Sequence, residues 1–480
     1  MRDLFDTSII LPKCWLARIP KYWDETIPTD IPRSSSSFSY VTTEAEKEAV
    51  KEMEENINDP EKSIISPEAV GEHNALGSYI GTYDVVANAG ERTLLSPNKL
   101  TNAVSALAYH YDEETGEWNQ IEDAELDKDG YVWGSCESFS PVAVFGVRRD
   151  TYIQEETIIY QFPTFVCNGI FTKIYKNDED KIVAEDGYGK ITEIDENYLI
   201  LGGTYDGTDV ESTNVSIVGV TVAKVIGGSA CKDHPVHVGT VNVYMQNATS
   251  TSAITGTGVG CRVDKVNITL DGANSPSGLG CGESYYKGIA LNKTLADSAL
   301  RLGAPQWIKE AEINAVNTKI GVAYCSASNG HSYVQNATLY AKGCEFEYFC
   351  NGQSNGTVDN VTSVLEDTTI KYLNSNNRGH YGSGKATLKN CHVENFYVFA
   401  APDEGAECAD ILGKVAWDFD ADCVIDNTEI GRVGNDTGVH DVTTPDECAK
   451  YLDYVKVSRD TAIIYTNGAE DVLGDLLITK

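Results

Sequence analysis

Ala337-Thr-Leu-Tyr-Ala-Lys-Gly-Cys-Glu-Phe-Glu-Tyr-Phe-Cys-Asn-Gly-Gln-Ser-Asn-Gly356 reads as two short strands, a tight corner and a glycine-closed turn. It has counterparts along the chain, beginning at Val215 (VSIVGVTVAKVIGGS), Val241 (VNVYMQNATSTSAITGTG), Val266 (VNITLDGANSPSGLGCGE), Ile313 (INAVNTKIGVAYCSASNG), Val361 (VTSVLEDTTIKYLNSNN) and Ala386 (ATLKNCHVENFYVFAAP). With Ala337 included, the intervals are 26, 25, 47, 24, 24 and 25 residues. A steady period in the twenties marks a solenoid, in which each coil buries its apolar face against its neighbours. The expected fold is mainly β, with a right-handed β-solenoid of about 25-residue coils. The 47-residue interval predicts two coils, the second irregular, and Lys293 to Glu312 reads as a helical or loop insertion.

Within each unit the second strand ends at a small residue. Gly227, Gly256, Cys281, Cys325 and Cys350 occupy that corner. A site that alternates between Gly and Cys is a tight, inward one, because a free thiol behaves as a small buried hydrophobe. Beyond the corner, Asn274, Ser326, Asn329, Asn351, Ser354, Asn374 and Asn376 recur, which predicts side-chain ladders between stacked turns. Asn-x-Ser/Thr triplets at Asn214, Asn247, Asn267, Asn336 and Asn360 follow from the same composition and are not read as glycosylation sites.

The 480 residues carry a formal charge of −35, spread along the chain. That charge disfavours nucleic acid, whose binding depends on Lys and Arg at phosphates, and suits a solvated surface that discourages edge-to-edge pairing. No run of eighteen apolar residues exists, so no membrane insertion is expected. Acid near the N-terminus and a short apolar run predict no signal peptide. Thirteen cysteines without a C-x-x-C predict thiols, neither a closed disulfide framework nor a zinc finger.

Five regions are expected. Residues 1–65 form a proline- and aromatic-rich anchoring arm (Pro12, Pro20, Pro28, Pro32, Trp15, Trp23) and a short helix opened by a Thr43/Glu46 capping box. Residues 66–150 form a β-sandwich, 151–195 a linker and cap, 196–438 the repeats and 439–480 a second cap. That last region contains a helix from Thr444 to about Val455, followed by strands at Thr461–Tyr465 and Val472–Ile478.

Candidate chemistry is sparse. Asp418-Phe-Asp-Ala-Asp-Cys-Val-Ile-Asp-Asn-Thr-Glu429 resembles the calcium loop of EF-hands and dockerins, but has Cys423 where that loop turns on glycine. The same residues also alternate as a strand. Asp206 with Asp209, Asp233 with His234 and His237, Glu366 with Asp367, Asp403 with Glu404, and His380 are the acid/base groups a polysaccharide-cleaving β-helix would need. Each reads better as a solvated turn, so no catalytic, metal or cofactor residue is assigned. The run YHYDEETGEW with SFSPVAVFGV resembles the closing strands of accessory β-sandwich modules of bacterial and phage surface proteins. Glycine-closed coils behind such a module resemble virion proteins of tailed phages and the repeats of bacterial adhesins. The resemblance implies a structural virion protein, a decoration, fibre or tail adhesin assembled in the host cytoplasm. Its arm would meet other virion proteins, its solenoid a host-surface glycan, and its oligomer would be a trimer. A tailspike-like hydrolase or lyase and a bacterial adhesin are the alternatives.

Overall fold

A computed structural model describes residues 37–59, 61–101, 103–135, 141–157, 160–231, 236–283, 306–327, 332–352, 357–374 and 380–400, with the strand segments 417–418, 425–426, 428–436, 455–456 and 463–465. The chain divides into two units, meeting at Asp150 and Thr151.

The first unit is layered. A five-stranded antiparallel sheet takes strands Ser37–Ser39, Asn74–Val86, Pro141–Arg149, Ser105–Asp112 and Glu117–Gln120 in that spatial order, and a three-stranded sheet takes Arg92–Leu94, Val132–Ser135 and Glu125–Leu126. Alternation in Pro141–Arg149 sends Val142 and Val144 toward Leu95, Ile121 and Val132. It sends Ala143, Phe145 and Val147 toward Met53 and Ile57, at the end of helix Glu44–Asn56. The strand is therefore buried on both faces, which explains its unbroken apolar run. The Thr43/Glu46 capping box is formed, with Glu46 N–H on Thr43 Oγ1 at 3.2 Å and Thr43 N–H on Glu46 Oε2 at 3.1 Å. The helix predicted beside the arm thus packs on the sandwich, and Phe38 joins the same domain's core.

That packing holds Asp84 near Glu46 and Glu113. Burial first, then these two carboxylates, push its pKa up to about 6. A carboxyl whose folded pKa is raised stabilises the fold fully below its unfolded value and loses that contribution as pH rises through about 6. Asp84→Asn is expected to be more stable than wild type at pH 8 by about 1 kcal/mol, after discounting for solvent exposure. The difference should vanish at pH 4, as thermal melts at the two pH values will show.

The second unit is a parallel β-solenoid of about 6 turns over residues 199–396. Its long-strand sheet stacks Val210–Val218, Val236–Gln246, Cys261–Asp271, Trp307–Val316, Tyr333–Lys342, Thr357–Glu366 and His380–Lys389. Its short-strand sheet stacks Leu199–Leu201, Lys224–Ile226, Ala253–Thr257, Gly278–Gly282, Lys319–Tyr324, Glu345–Cys350, Thr369–Asn374 and His392–Ala400. Alternate residues of both sheets meet inside. Val243, Ile268, Ile313 and Leu339 form one buried row, and Val225, Ile254, Leu279, Ala323, Phe349 and Leu373 form the facing one. Each large aliphatic or aromatic member contributes about 1.5–3 kcal/mol by leaving water. At the N-terminal end, Thr172–Lys176 continues the long-strand sheet, and Ile182–Asp186 and Ile191–Glu193 add antiparallel strands. Pairing continues beyond the sixth turn, where Thr428–Asp436 lies parallel to His392–Ala400 and Ile463–Tyr465 lies parallel to Thr428–Ile430. The helix expected from Thr444 and the strand expected at Val472–Ile478 lie outside the described residues.

Two expectations need correction. Val266 pairs directly with Ala311, so the 47-residue interval is one coil, and Trp307 to Glu312 belong to its strand instead of to an insertion. Register also places Asn351, not Cys350, two residues after Phe349 in the corner row of Gly227, Gly256, Cys281 and Cys325. Cys350 pairs with Tyr324 and Asn374.

The opposite corner, which follows each long strand, carries a stricter signature. Gly219, Asn247, Gly272, Asn317, Gly343, Asp367 and Asn390 all adopt φ between +47° and +67°. Each of the first six donates its backbone N–H to the residue just before its counterpart in the next coil. The residue that follows is small or β-branched and buried: Val220, Ala248, Ala273, Thr318, Cys344, Thr368 and Cys391. Thr318 and Thr368 hydroxyls donate to the carbonyls of Val316 and Glu366 at 2.9 and 2.7 Å. The Cys344 and Cys391 thiols lie 3.5 and 3.4 Å from the equivalent carbonyls of Lys342 and Lys389, and 3.5 and 3.2 Å from those of Ala315 and Leu365 in the preceding coil, so each single S–H is shared between its turn and that coil. These two cysteines thus fill the buried position that Thr318 and Thr368 take in their own coils.

Candidate functional site

The solvent side of the long-strand sheet is the surface the solenoid organises most regularly. Because parallel strands stack in register, like residues recur about 4.8 Å apart and can bond along the stack. Asn267 Nδ2 donates to Asn242 Oδ1, and Asn242 Nδ2 to Asn214 Oδ1, both at 2.9 Å. A second ladder runs from Asn360 Nδ2 to Asn336 Oδ1 at 2.9 Å and from Asn336 Nδ2 to Glu310 Oε1 at 2.8 Å. Of the Asn-x-Ser/Thr asparagines named above, Asn214, Asn267, Asn336 and Asn360 are therefore ladder members, and Asn247 is a left-handed corner residue. The predicted ladder positions behave differently. Asn351 Nδ2 donates to the Lys385 carbonyl at 3.2 Å, Asn374 Nδ2 to Tyr348 Oη at 3.0 Å, and Ser326 Oγ to the Gly352 carbonyl at 3.0 Å. Asn274 pairs with Thr249 and Lys319 in a short corner strand. Asn329, Ser354 and Asn376 lie outside the described residues.

Beside the ladders, aromatic and charged side chains succeed one another on neighbouring coils. The Arg262 guanidinium lies 5.5 Å from the Trp307 ring, which stacks on Tyr333 at 6.4 Å, and Tyr333 Oη donates to Asp359 Oδ2. On this sheet a cross-coil ion pair joins Lys342 to Glu366 at 3.3 Å, and on the short-strand sheet Lys319 pairs with Glu345 at 2.9 Å and Lys371 with Glu347 at 3.1 Å. Hydrogen bonding to Glu366 raises the Lys342 pKa, and burial followed by the Glu366 charge raises that of Tyr340. Exposed pairs of this kind are each worth about 0.2–1 kcal/mol.

The candidate acids and bases are placed as follows. Asp209 Oδ1 accepts the His237 backbone N–H at 2.7 Å, and His237 Nε2 lies 3.1 Å from Asp264 Oδ2, with both side chains half exposed. Asp206 accepts the Thr208 N–H of its own turn at 3.0 Å. Glu366 and Asp367 both face Lys342, the latter at 3.8 Å, and Asp367 also accepts from Asn390 Nδ2 at 3.1 Å. The backbone of His380 opens a strand opposite Thr357. Asp233, His234, Asp403 and Glu404 lie outside the described residues. So does the middle of the calcium-loop candidate, whose ends are strands: Asp418 pairs with Lys385 in the long-strand sheet and Glu429 with His392 in the short-strand sheet. Among the described residues, no group of three or more His, Cys, Asp or Glu is placed to hold a metal ion.

The eight described cysteines are buried thiols. Burial pushes the pKa of Cys167 and Cys261 up to about 12, and also raises those of Cys281 and Cys325 well above the ordinary thiol value. A thiol so far from ionising is a poor nucleophile and a poor metal ligand, which fits the packing role read from the Gly/Cys alternation. Among the described residues, no helix is long and apolar enough to cross a membrane.

No family model, curated protein or solved structure matches the chain.

Proposed function

We propose that the chain is a structural virion protein of a tailed phage, which projects its acidic β-solenoid for attachment to a host-surface glycan. The observation that carries this reading is the solvent side of the long-strand sheet, where side chains are bonded coil to coil by asparagine ladders and ion pairs. Such a face is stiff and polar, with amide and carboxylate groups spaced to meet a polyhydroxylated chain. The chain's charge of −35 argues against a polyanionic partner. On this reading the N-terminal arm docks to neighbouring capsid or tail proteins.

Gold-labelled antibody against the chain, applied to purified phage particles, is expected to mark one fixed position on each virion. Particles that stay unlabelled overturn the proposal. Incubation with capsular or cell-wall glycans is expected to leave chain length unchanged, whereas shortened chains would replace attachment by depolymerisation.

A further inference from the structure

The outward face of the short-strand sheet is covered in its first coils. Tyr160, Val166, Leu199, Leu201, Ile226 and Ala230 form a separate apolar cluster there. Within this layer lies a charge pair. Lys224 is 2% exposed, its Nζ stands 2.5 Å from Glu283 Oε2, and the Tyr160 ring lies 4.5 Å away. Burial pulls the Lys224 pKa down while Glu283 opposes that shift.

Glu283 and Gln306 flank residues 284–305 in the sequence, and both are tied to the preceding coil. The Glu283 N–H donates to the Thr257 carbonyl at 3.1 Å. Gln306, fully buried, donates from Nε2 to the carbonyls of Thr257 and Gly258 at 3.0 and 2.7 Å. Its amide fills the space beside Gly282, where an added Cβ would come within 2.1 Å of Oε1. The Gln306 carbonyl in turn accepts the Tyr333 N–H at 2.9 Å, linking it to the next coil. The coil before passes from Thr257 to Cys261 through three residues without such a device.

We infer that Lys224, Glu283 and Gln306 are positioning residues that hold the chain at 283 and again at 306 on the preceding coil, through the carbonyls of Thr257 and Gly258, and so keep the later coils in register. Interrupting a parallel stack threatens the register of every later coil, because a slip of one residue turns the inward row outward. A buried ion pair is costly to desolvate and tolerates little misplacement, so it suits fixing a position better than adding stability. The inference stands whether the solenoid serves attachment or catalysis.

Hydrogen–deuterium exchange on the full chain tests it. Glu283→Gln keeps the shape and removes the charge, and Gln306→Met keeps the volume and removes the donors. Each is expected to speed exchange about tenfold in peptides covering 253–260, 278–283 and 306–316, with 337–374 unchanged. Unchanged exchange at the three peptides overturns the inference, as does equal acceleration along the whole solenoid. If Glu283→Gln fails to fold, Gln306→Met alone decides.

Discussion

Gly256→Ala is expected to destabilise the solenoid by about 3 kcal/mol or more, lowering its thermal midpoint by about 5–10 °C, while Gly278→Ala leaves the midpoint within error. The two glycines lie on neighbouring coils of one sheet and differ in what a methyl group would meet. At Gly256 a Cβ would stand 2.2 Å from the Cys281 carbonyl oxygen and 2.3 Å from Val266 Cγ1. At Gly278 the nearest atom would be 3.6 Å away, an ordinary contact. The obstacle at Gly256 is partly backbone, and that backbone is held in the next coil's hydrogen bonds. Relief therefore means opening the ladder, including the bond from Gly228 N–H to the Gly256 carbonyl at 2.7 Å. Adding Val266→Ala removes only the side-chain part of the clash, so the double variant is expected to remain well below wild type. Full recovery would show that valine, not the carbonyl, sets the requirement for glycine. Across the stack, the matched long-strand residues change from Val241 and Val266 to Ala311 and Ala337 as the corner row changes from Gly227 and Gly256 to Cys281 and Cys325. Over these four coils smaller residues on one sheet accompany larger ones on the other, whereas in the next coil the same rows hold Asn351 and Val361.

The period, the two-strand coil and the small corner were legible because inward and outward residues alternate with a period of two. That periodicity survives misalignment: Val215, Ile313 and Ala386 lie two residues beyond Thr213, Ala311 and Gly384, which match Val241, yet both sets face inward. What stayed hidden depends on contacts between coils of unequal length. Trp307 to Glu312 offers only Ile308 and Ala311 to the interior beside three charged residues, too weak an alternation to mark a strand. Asn351 is buried in the corner row because Lys385, 34 residues away, supplies a carbonyl. No local pattern contains that partner. The asparagine ladder required knowing that Asn214, Asn242 and Asn267 share a rung position across intervals of 28 and 25 residues. The left-handed corner, by contrast, was written in the sequence as Gly, Asn or Asp followed by a small or β-branched residue. In Lys342-Gly-Cys344 that signal is only two residues long, and Gly, Asn and Asp followed by a small residue also occur outside such corners, as at Gly227-Gly228 and Gly256-Thr257.

That corner also sets the sharpest test on an exposed residue. Asn317→Val is expected to cost about 2 kcal/mol although the side chain faces solvent, where substitutions usually stay within about 0.5 kcal/mol. Asn317 has φ +50°, a region that asparagine tolerates and a β-branched side chain does not. Its N–H donates to the Lys342 carbonyl at 2.9 Å and Gly343 N–H to Glu366 at 3.0 Å, so relaxing φ would break the ladder on which the next coil is hung. Asn317→Gly keeps the conformation and is expected to unfold at nearly the wild-type denaturant midpoint. The pairing with Gly343 sharpens the argument, since Asn317 Oδ1 occupies space 2.7 Å from where a Gly343 Cβ would be. Gly343→Asn therefore requires Asn317 to turn its side chain aside, as Asp367 and Asn390 do at successive corners with a 3.1 Å bond between them, and that requirement is removed when Asn317 becomes glycine. Denaturant unfolding of the two single variants and the double should show the Gly343→Asn penalty shrink in the Asn317→Gly background. An unchanged penalty would mean that backbone conformation alone, and not side-chain space between coils, chooses glycine at alternate corners.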